Sequence, residues 1–152
     1  MDYVGLVVEA VAEGAAAAPG ERYLVAKARA AAFCETAGIT RARPFWEGKG
    51  AALDGAVTRH PLAGRGYEFA VPLLPGDFVT EEDGTGFVHI APGHGADDFE
   101  LARKHGIEAP QTVDGDGTYF AHVPLFAGKH VYWPNGKTGD ADGAVIAALK
   151  EA

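Results

Sequence analysis

At 152 residues the chain is long enough to bury a core within one domain. With 47% hydrophobic and 22% charged residues it reads as globular, and no apolar run approaches the roughly 20 residues of a membrane helix. The net charge of −8 argues against gripping a phosphate backbone over a wide surface, and the one cysteine, Cys34, excludes an internal disulfide and suits a reducing, cytoplasmic setting.

The opening MDYVGLVVEAV has no basic leader ahead of its apolar residues, so a first strand is expected rather than a signal peptide. Its β-branched run and the similar ERYLVA predict a hairpin, joined by the mobile, small-residue loop AEGAAAAPG. Lys27–Ala37 is alanine-rich, with Phe33 on an apolar face and Gly38 where a helix stop belongs; Cys34 reads there as a packed residue rather than a catalytic thiol. From Ile39 to Phe78 glycine and proline recur about every five to ten residues, which predicts short strands bending around a barrel or a compact mixed sheet. FVTEEDGTGFVHIAP predicts two short strands around an acidic turn. Ala96–His105 predicts a helix ended by Gly106, with Asp97 and Asp98 in its first turn, where negative charge complements the helix dipole. DGDGTYFAHVPLFAGKHVYW reads as turn, strand, turn, strand, and DADGAVIAALKEA as a last helix. Neither an internal repeat nor a second domain stands out. The expected fold is mixed α/β and β-rich, a small β-barrel or mixed sheet with three peripheral helices.

The chemistry concentrates in Gly84–Phe99, GTGFVHIAPGHGADDF, which holds two histidines, two aspartates, a proline and four glycines. Such a backbone is costly to order, so the stretch is either a plain turn or a place where backbone approaches a ligand. GTG runs on into FVHI, a strand, so the dinucleotide-binding pattern of strand, glycine turn and helix fails. DGDG at Asp114–Gly117 lacks the rest of a calcium loop and reads as a hairpin turn. His89, His94, Asp97 and Asp98 are zinc-type ligands by chemistry, but the two histidines are five apart across Pro92 rather than on one helix, and no metal is expected. The chain contains no serine, and therefore no serine-nucleophile elbow.

What survives is a strand that delivers His89 to a pocket mouth, a glycine-rich corner, and a helix whose first turn presents Asp98. A carboxylate hydrogen-bonded there stays ionised and can hold an ammonium group. From these residues alone, structural roles stay open: Asp97 as a cap, His94 as corner filling, and even His89 and Asp98 as ordinary packing. The basic residues of ITRARPFWEGKG, with Arg59 and Arg65, read equally as a rim that meets the end of a nucleic acid and as a solvated face.

GTGFVHIAPGHGADDFELARKHG resembles the signature of the editing domain inserted into isoleucyl-tRNA synthetase, G-T-G-x-V-H-x-A-P-G-H-G-x-x-D-[FY], and agrees at every specified position. RHPLAGRGYEFAVPLLPGDFVT and DGTYFAHVPLFAGKHV resemble the flanking stretches, so the likeness runs from about Trp46 onward. The valine- and leucine-specific relatives typically carry Lys or Met where this chain has His89, and Pro-Ala-His-Asp where it has Pro92–Gly95. The resemblance implies an editing domain over residues 1–152 that hydrolyses the ester of valyl-tRNA(Ile), the mischarged product. It implies that Asp98 holds the α-ammonium, that His89 sets the size limit of the pocket, that Gly84, Thr85 and Gly86 shape its loop, and that Gly93, His94 and Gly95 lie beside the adenosine end. Implied partners are the tRNA(Ile) acceptor end carrying valine and the remainder of a parent synthetase, with no membrane. No cofactor is implied in the domain itself, since ATP and magnesium belong to the parent's synthetic domain. The family's threonine-rich strand, one wall of its pocket, would precede Met1; the expectation is a fragment that folds but edits weakly by itself. The rival readings are a non-catalytic module binding the tRNA acceptor end and a metal-dependent hydrolase.

Overall fold

The computed structural model describes residues 1–82 and 84–152, which form two compact units. The first comprises Met1–Gly55 and Leu74–Ile90, the second Ala56–Leu73 and Ala91–Ala152.

In the first unit, strand β1 (Asp2–Val11) is the middle of an antiparallel sheet, with β2 (Arg22–Ala26) on one side and β3 (Ile39–Lys49) on the other. Tyr3, Val4, Leu6 and Val8 are all buried, an apolar run rather than an alternation, because both faces of β1 are covered. Val4, Leu6 and Val8 pack with Phe33 and Cys34 of helix α1 (Ala30–Thr36), which continues a 3-10 turn at Lys27–Arg29. On the other face Tyr3 packs against Phe87, ring centres 4.9 Å apart. Cys34 is a packing residue of the α1 layer, as its setting in the sequence predicts. Gly38 stops α1 with a φ of +71° and donates its N–H to Glu35 O.

Three local expectations differ from the structure. The loop between β1 and β2 is tied down: Ala12 donates to Gly38 O and Ala17 to Ala37 O, and Ala17 is buried. Secondly, β3 is a single strand of 11 residues despite Pro44. It lies at the sheet edge, where proline's missing donor is tolerated, and Phe45 is an extra residue bulged between the Gly5–Trp46 and Leu6–Pro44 pairs. The Phe45 ring settles on Gly5, where a Cβ would come within 2.6 Å of it. Thirdly, the segment from Phe78 to Pro92 forms no strand among the described residues, so His89 does not ride on a ladder. Gly84 and Gly86, with φ of +64° and +80°, turn the backbone out of the extended conformation a ladder requires.

The second unit has its own core of Leu62, Val123, Phe126 and Ala148, ringed by Tyr67, Tyr119 and Phe120. It contains a short hairpin of β4 (Val57–Arg59) and β5 (Ala70–Pro72), helix α2 (Ala96–Lys104) and helix α3 (Ala141–Lys150), whose Ala148 joins the core. After α2, Gly106 (φ +69°) donates to Arg103 O and Ile107 to Ala102 O, the paired bonds of a Schellman stop. The two strands expected in DGDGTYFAHVPLFAGKHVYW appear only as isolated bridges, Val113–Tyr119, Thr118–His130 and Tyr132–Thr138. Asp114 accepts from the N–H groups of Asp116 and Thr118, and Gly117, Gly128 and Gly136 at positive φ reverse the chain before a ladder can lengthen.

Among the described residues the fold is mixed α/β and strand-rich with three α-helices, as expected, and its sheets are open rather than closed into a barrel. No helix among the described residues is long and apolar enough to cross a membrane.

Candidate functional site

In the first unit, the Gly84–His89 stretch is fastened to the sheet at its glycine end. Ala26 at the end of β2 donates its N–H to Thr85 O at 2.7 Å, and the Tyr3 hydroxyl donates to Gly86 O at 2.7 Å. Arg29 Nε donates to Gly84 O at 3.3 Å. Burial raises the Tyr3 phenol above its ordinary pKa, aided by the charge of Glu81, so the hydroxyl keeps its proton for Gly86. Gly86 is buried, and a Cβ there would overlap that of Ala26; only glycine fits both this contact and the φ of +80°. Gly84 meets nothing within 4 Å, so its glycine serves the backbone turn alone. Beyond this anchor Phe87 turns in against Tyr3, while Val88 and His89 are exposed.

In the second unit, Ala91, Pro92, Gly93 and His94 make a tight turn closed by His94 N–H to Ala91 O at 2.9 Å. Gly95 then begins α2 in an extended conformation, and no side chain caps the helix. Asp98, in the first turn, is half-buried and folds back rather than outward: its Oδ2 accepts the Ala91 N–H at 3.1 Å. That return explains Gly95, where a Cβ would sit 2.7 Å from the same oxygen. Gly93 faces open space, and His94 and Asp97 are exposed. The ion pairs among the described residues leave Asp98 without a lysine or arginine partner. The Ala91 contact is invisible to a reading by motif, because it joins a backbone donor to a side chain seven residues on.

Of the hollows among the described residues two are of note, and neither is lined by His89 or Asp98. One, of about 230 Å³, lies in the first unit between α1 and β3 and is lined by Leu6, Cys34 and Arg41 among others. The second, of about 320 Å³, lies in the second unit at Arg59, His60, Pro61, Ala63, Arg65 and Ala152. Among the described residues no group of three or more His, Cys, Asp or Glu side chains is placed to hold a metal ion.

The glycine-pinned loop, the Pro-Gly-His-Gly corner and the returning carboxylate all lie within a stretch that matches the editing domains of aminoacyl-tRNA synthetases. The family model described as leucyl-tRNA synthetase, editing domain, matches residues 26–139, and the chain belongs to that family. Among individual proteins it is similar to isoleucine–tRNA ligases. It is 51% identical over 130 residues to that of Gluconobacter oxydans, a match covering 86% of this chain and 14% of the relative. Identity to the Caulobacter vibrioides ligase is 45% over 144 residues (90% and 14%), and to the Bradyrhizobium diazoefficiens ligase 44% over 144 residues (88% and 14%). The chain thus spans about 14% of the length of these curated relatives.

Proposed function

We propose that this sequence is the proofreading module of a cytoplasmic isoleucyl-tRNA synthetase and hydrolyses the ester of valyl-tRNA(Ile). The observation that carries the reading is Asp98: a carboxylate half-buried at a helix start, steadied on one oxygen by a backbone N–H and unmatched by any lysine or arginine among the described residues. Its negative charge suits the α-ammonium of an aminoacyl ester. The chemical need is plain, since a pocket that distinguishes isoleucine from valine by one methylene gains only about 1–3 kcal/mol. A second discrimination step that accepts valine and rejects isoleucine supplies the missing factor, and the size limit is assigned to His89. Gly84, Thr85 and Gly86 hold the loop that carries His89, and Gly93, His94 and Gly95 leave a low corner for the terminal adenosine. The ester carbonyl is attacked by water, the acyl–oxygen bond breaks, and valine leaves with the tRNA hydroxyl restored. With the ammonium anchored, alignment of ester and water contributes much of the rate. ATP and magnesium have no role in this step; they belong to the synthetic domain of the parent.

The test is deacylation of valyl-tRNA(Ile) by a synthetase carrying this sequence, with isoleucyl-tRNA(Ile) as the comparison. Asp98→Ala is expected to lower deacylation about 10- to 150-fold, the equivalent of a charged hydrogen bond of about 1.5–3 kcal/mol, while tRNA affinity stays the same. Deacylation by Asp98→Ala at the unsubstituted rate refutes the anchor. Binding of tRNA without any deacylation by the unsubstituted protein supports the non-catalytic acceptor-end module instead.

A further inference from the structure

The hollow at Arg59, His60 and Arg65 has no part in the chemistry assigned to Asp98 and His89. We propose that it is a phosphate-binding subsite that holds a backbone phosphodiester of RNA; this rests on the reading that the substrate is a tRNA. Three features of the second unit carry it. First, the hollow, about 320 Å³ and open to solvent, has two guanidinium groups and an imidazole as its polar side chains, in a chain whose net charge is −8. Where the overall charge repels a nucleic acid, a local cationic hollow decides where a phosphate can rest.

Second, the imidazole is set in place. His60 Nδ1 accepts the Leu62 N–H at 3.0 Å, which leaves Nε2 as the ring's donor in the neutral form. The ring stacks on Tyr67 with centres 4.8 Å apart and planes 13° from parallel, and Tyr67 is held by its hydroxyl bond to Pro124 O. Third, the guanidinium charges are available. Arg59 is exposed on β4 and has no carboxylate partner among the described residues. Arg65 Nη1 lies 3.3 Å from Glu151 Oε2, but the glutamate side chain is 67% exposed, and so open a pair is worth little. A phosphate offers the same fork two oxygens and a stronger bond. Pro61 and Ala63 add apolar lining against which a ribose can pack.

The experiment is fluorescence anisotropy of a labelled tRNA acceptor-stem minihelix, not aminoacylated, with the full chain across a salt series. Losing one phosphate contact lowers the log–log salt slope by about 0.7, which at 50 mM salt is about eightfold in affinity. Arg59→Gln is therefore expected to weaken binding about eightfold and Arg59→Gln/Arg65→Gln about 60-fold. Arg59→Lys/Arg65→Lys keeps both charges and therefore the salt slope, with an affinity between those of the unsubstituted chain and the double Gln variant, and Arg43→Gln, in the other unit, changes binding little. Thermal unfolding of each variant establishes that it is folded. In a parallel titration, inorganic phosphate shifts the His60 Cε1–H resonance in the unsubstituted chain and not in the double Gln variant. No measurable minihelix binding, or binding with the same affinity and slope in the folded double Gln variant, overturns the proposal, and phosphate shifts without an RNA effect overturn it too. The minihelix carries no amino acid, so a failure to deacylate valyl-tRNA(Ile) leaves this result standing, and the reverse holds as well.

Discussion

Substituting Gly86 tests whether the loop that leads to His89 is truly pinned to the sheet. Alanine at this position must adopt a φ of +80°, which costs an L-residue about 1–2 kcal/mol. Its Cβ would also overlap the Cβ of Ala26 and lie 3.3 Å from the Ala26 Cα and 3.2 Å from the Met1 sulfur. Ala26 is fully buried and its Cα is backbone, so the conflict is not relieved by a rotamer change. Overpacking of this kind adds about 1–3 kcal/mol. The sum, about 2–5 kcal/mol, is a large share of the stability of a typical domain, about 5–15 kcal/mol. Gly84→Ala is the control: its φ is +64°, but a Cβ there meets nothing within 4 Å, so only the backbone cost of about 1–2 kcal/mol applies. Urea unfolding followed by Trp46 fluorescence in a Trp133→Phe background reads the first unit selectively. The Gly86→Ala midpoint is expected to fall well below that of Gly84→Ala, with a similar slope. Equal destabilisation by the two refutes the close approach to Ala26, and with it the claim that this loop is anchored on β2.

Two further predictions concern the second unit. Leu62 is 3% exposed at the centre of its core, so Leu62→Ala is expected to cost about 2–5 kcal/mol in chemical denaturation, whereas Val57→Ala on exposed β4 changes little. Asp140 has its pKa lowered from 3.8, chiefly by the Lys129 hydrogen bond and then by the His130 N–H. A carboxyl lowered on folding stabilises the fold above its unfolded value and loses that contribution as pH falls through the folded one. The unsubstituted chain should therefore melt above Asp140→Asn at pH 7, and the gap should close below pH 3.8, read by thermal unfolding across pH.

Much of what punctuates the chain was legible beforehand because its causes are local. Gly38 and Gly106 end their helices for a reason contained within a few residues, the tolerance of glycine for the left-handed region. Asp97 and Asp98 fall in the first turn of α2 as the pattern around them requires. The strands fared worse where their partners are distant. Pro44 reads as a strand breaker, and only its place on the edge, with Phe45 bulged over Gly5, lets β3 run through it. The FVHI segment has a strand's composition, yet its neighbours engage the sheet through single bonds to Ala26 and Tyr3 instead of a ladder.

For the candidate site, the order of residues by itself determined the family, since a signature of fixed spacing is a property of the linear chain, and it named the groups to which the proposed chemistry is assigned. Tertiary structure alone decided what each glycine is for: Gly86 because Ala26 lies against it, Gly95 because the Asp98 carboxylate folds over it, and Gly84 for the turn only. It also showed that the stretch from Arg59 to Arg65, legible in the sequence only as a rim or a solvated face, borders a hollow. The division has a physical cause. Backbone preferences and helix stops follow from residue type and order, whereas close approach and burial depend on where the folded chain aims each side chain and on which segments, such as β2 and the Gly86 loop, come to lie together.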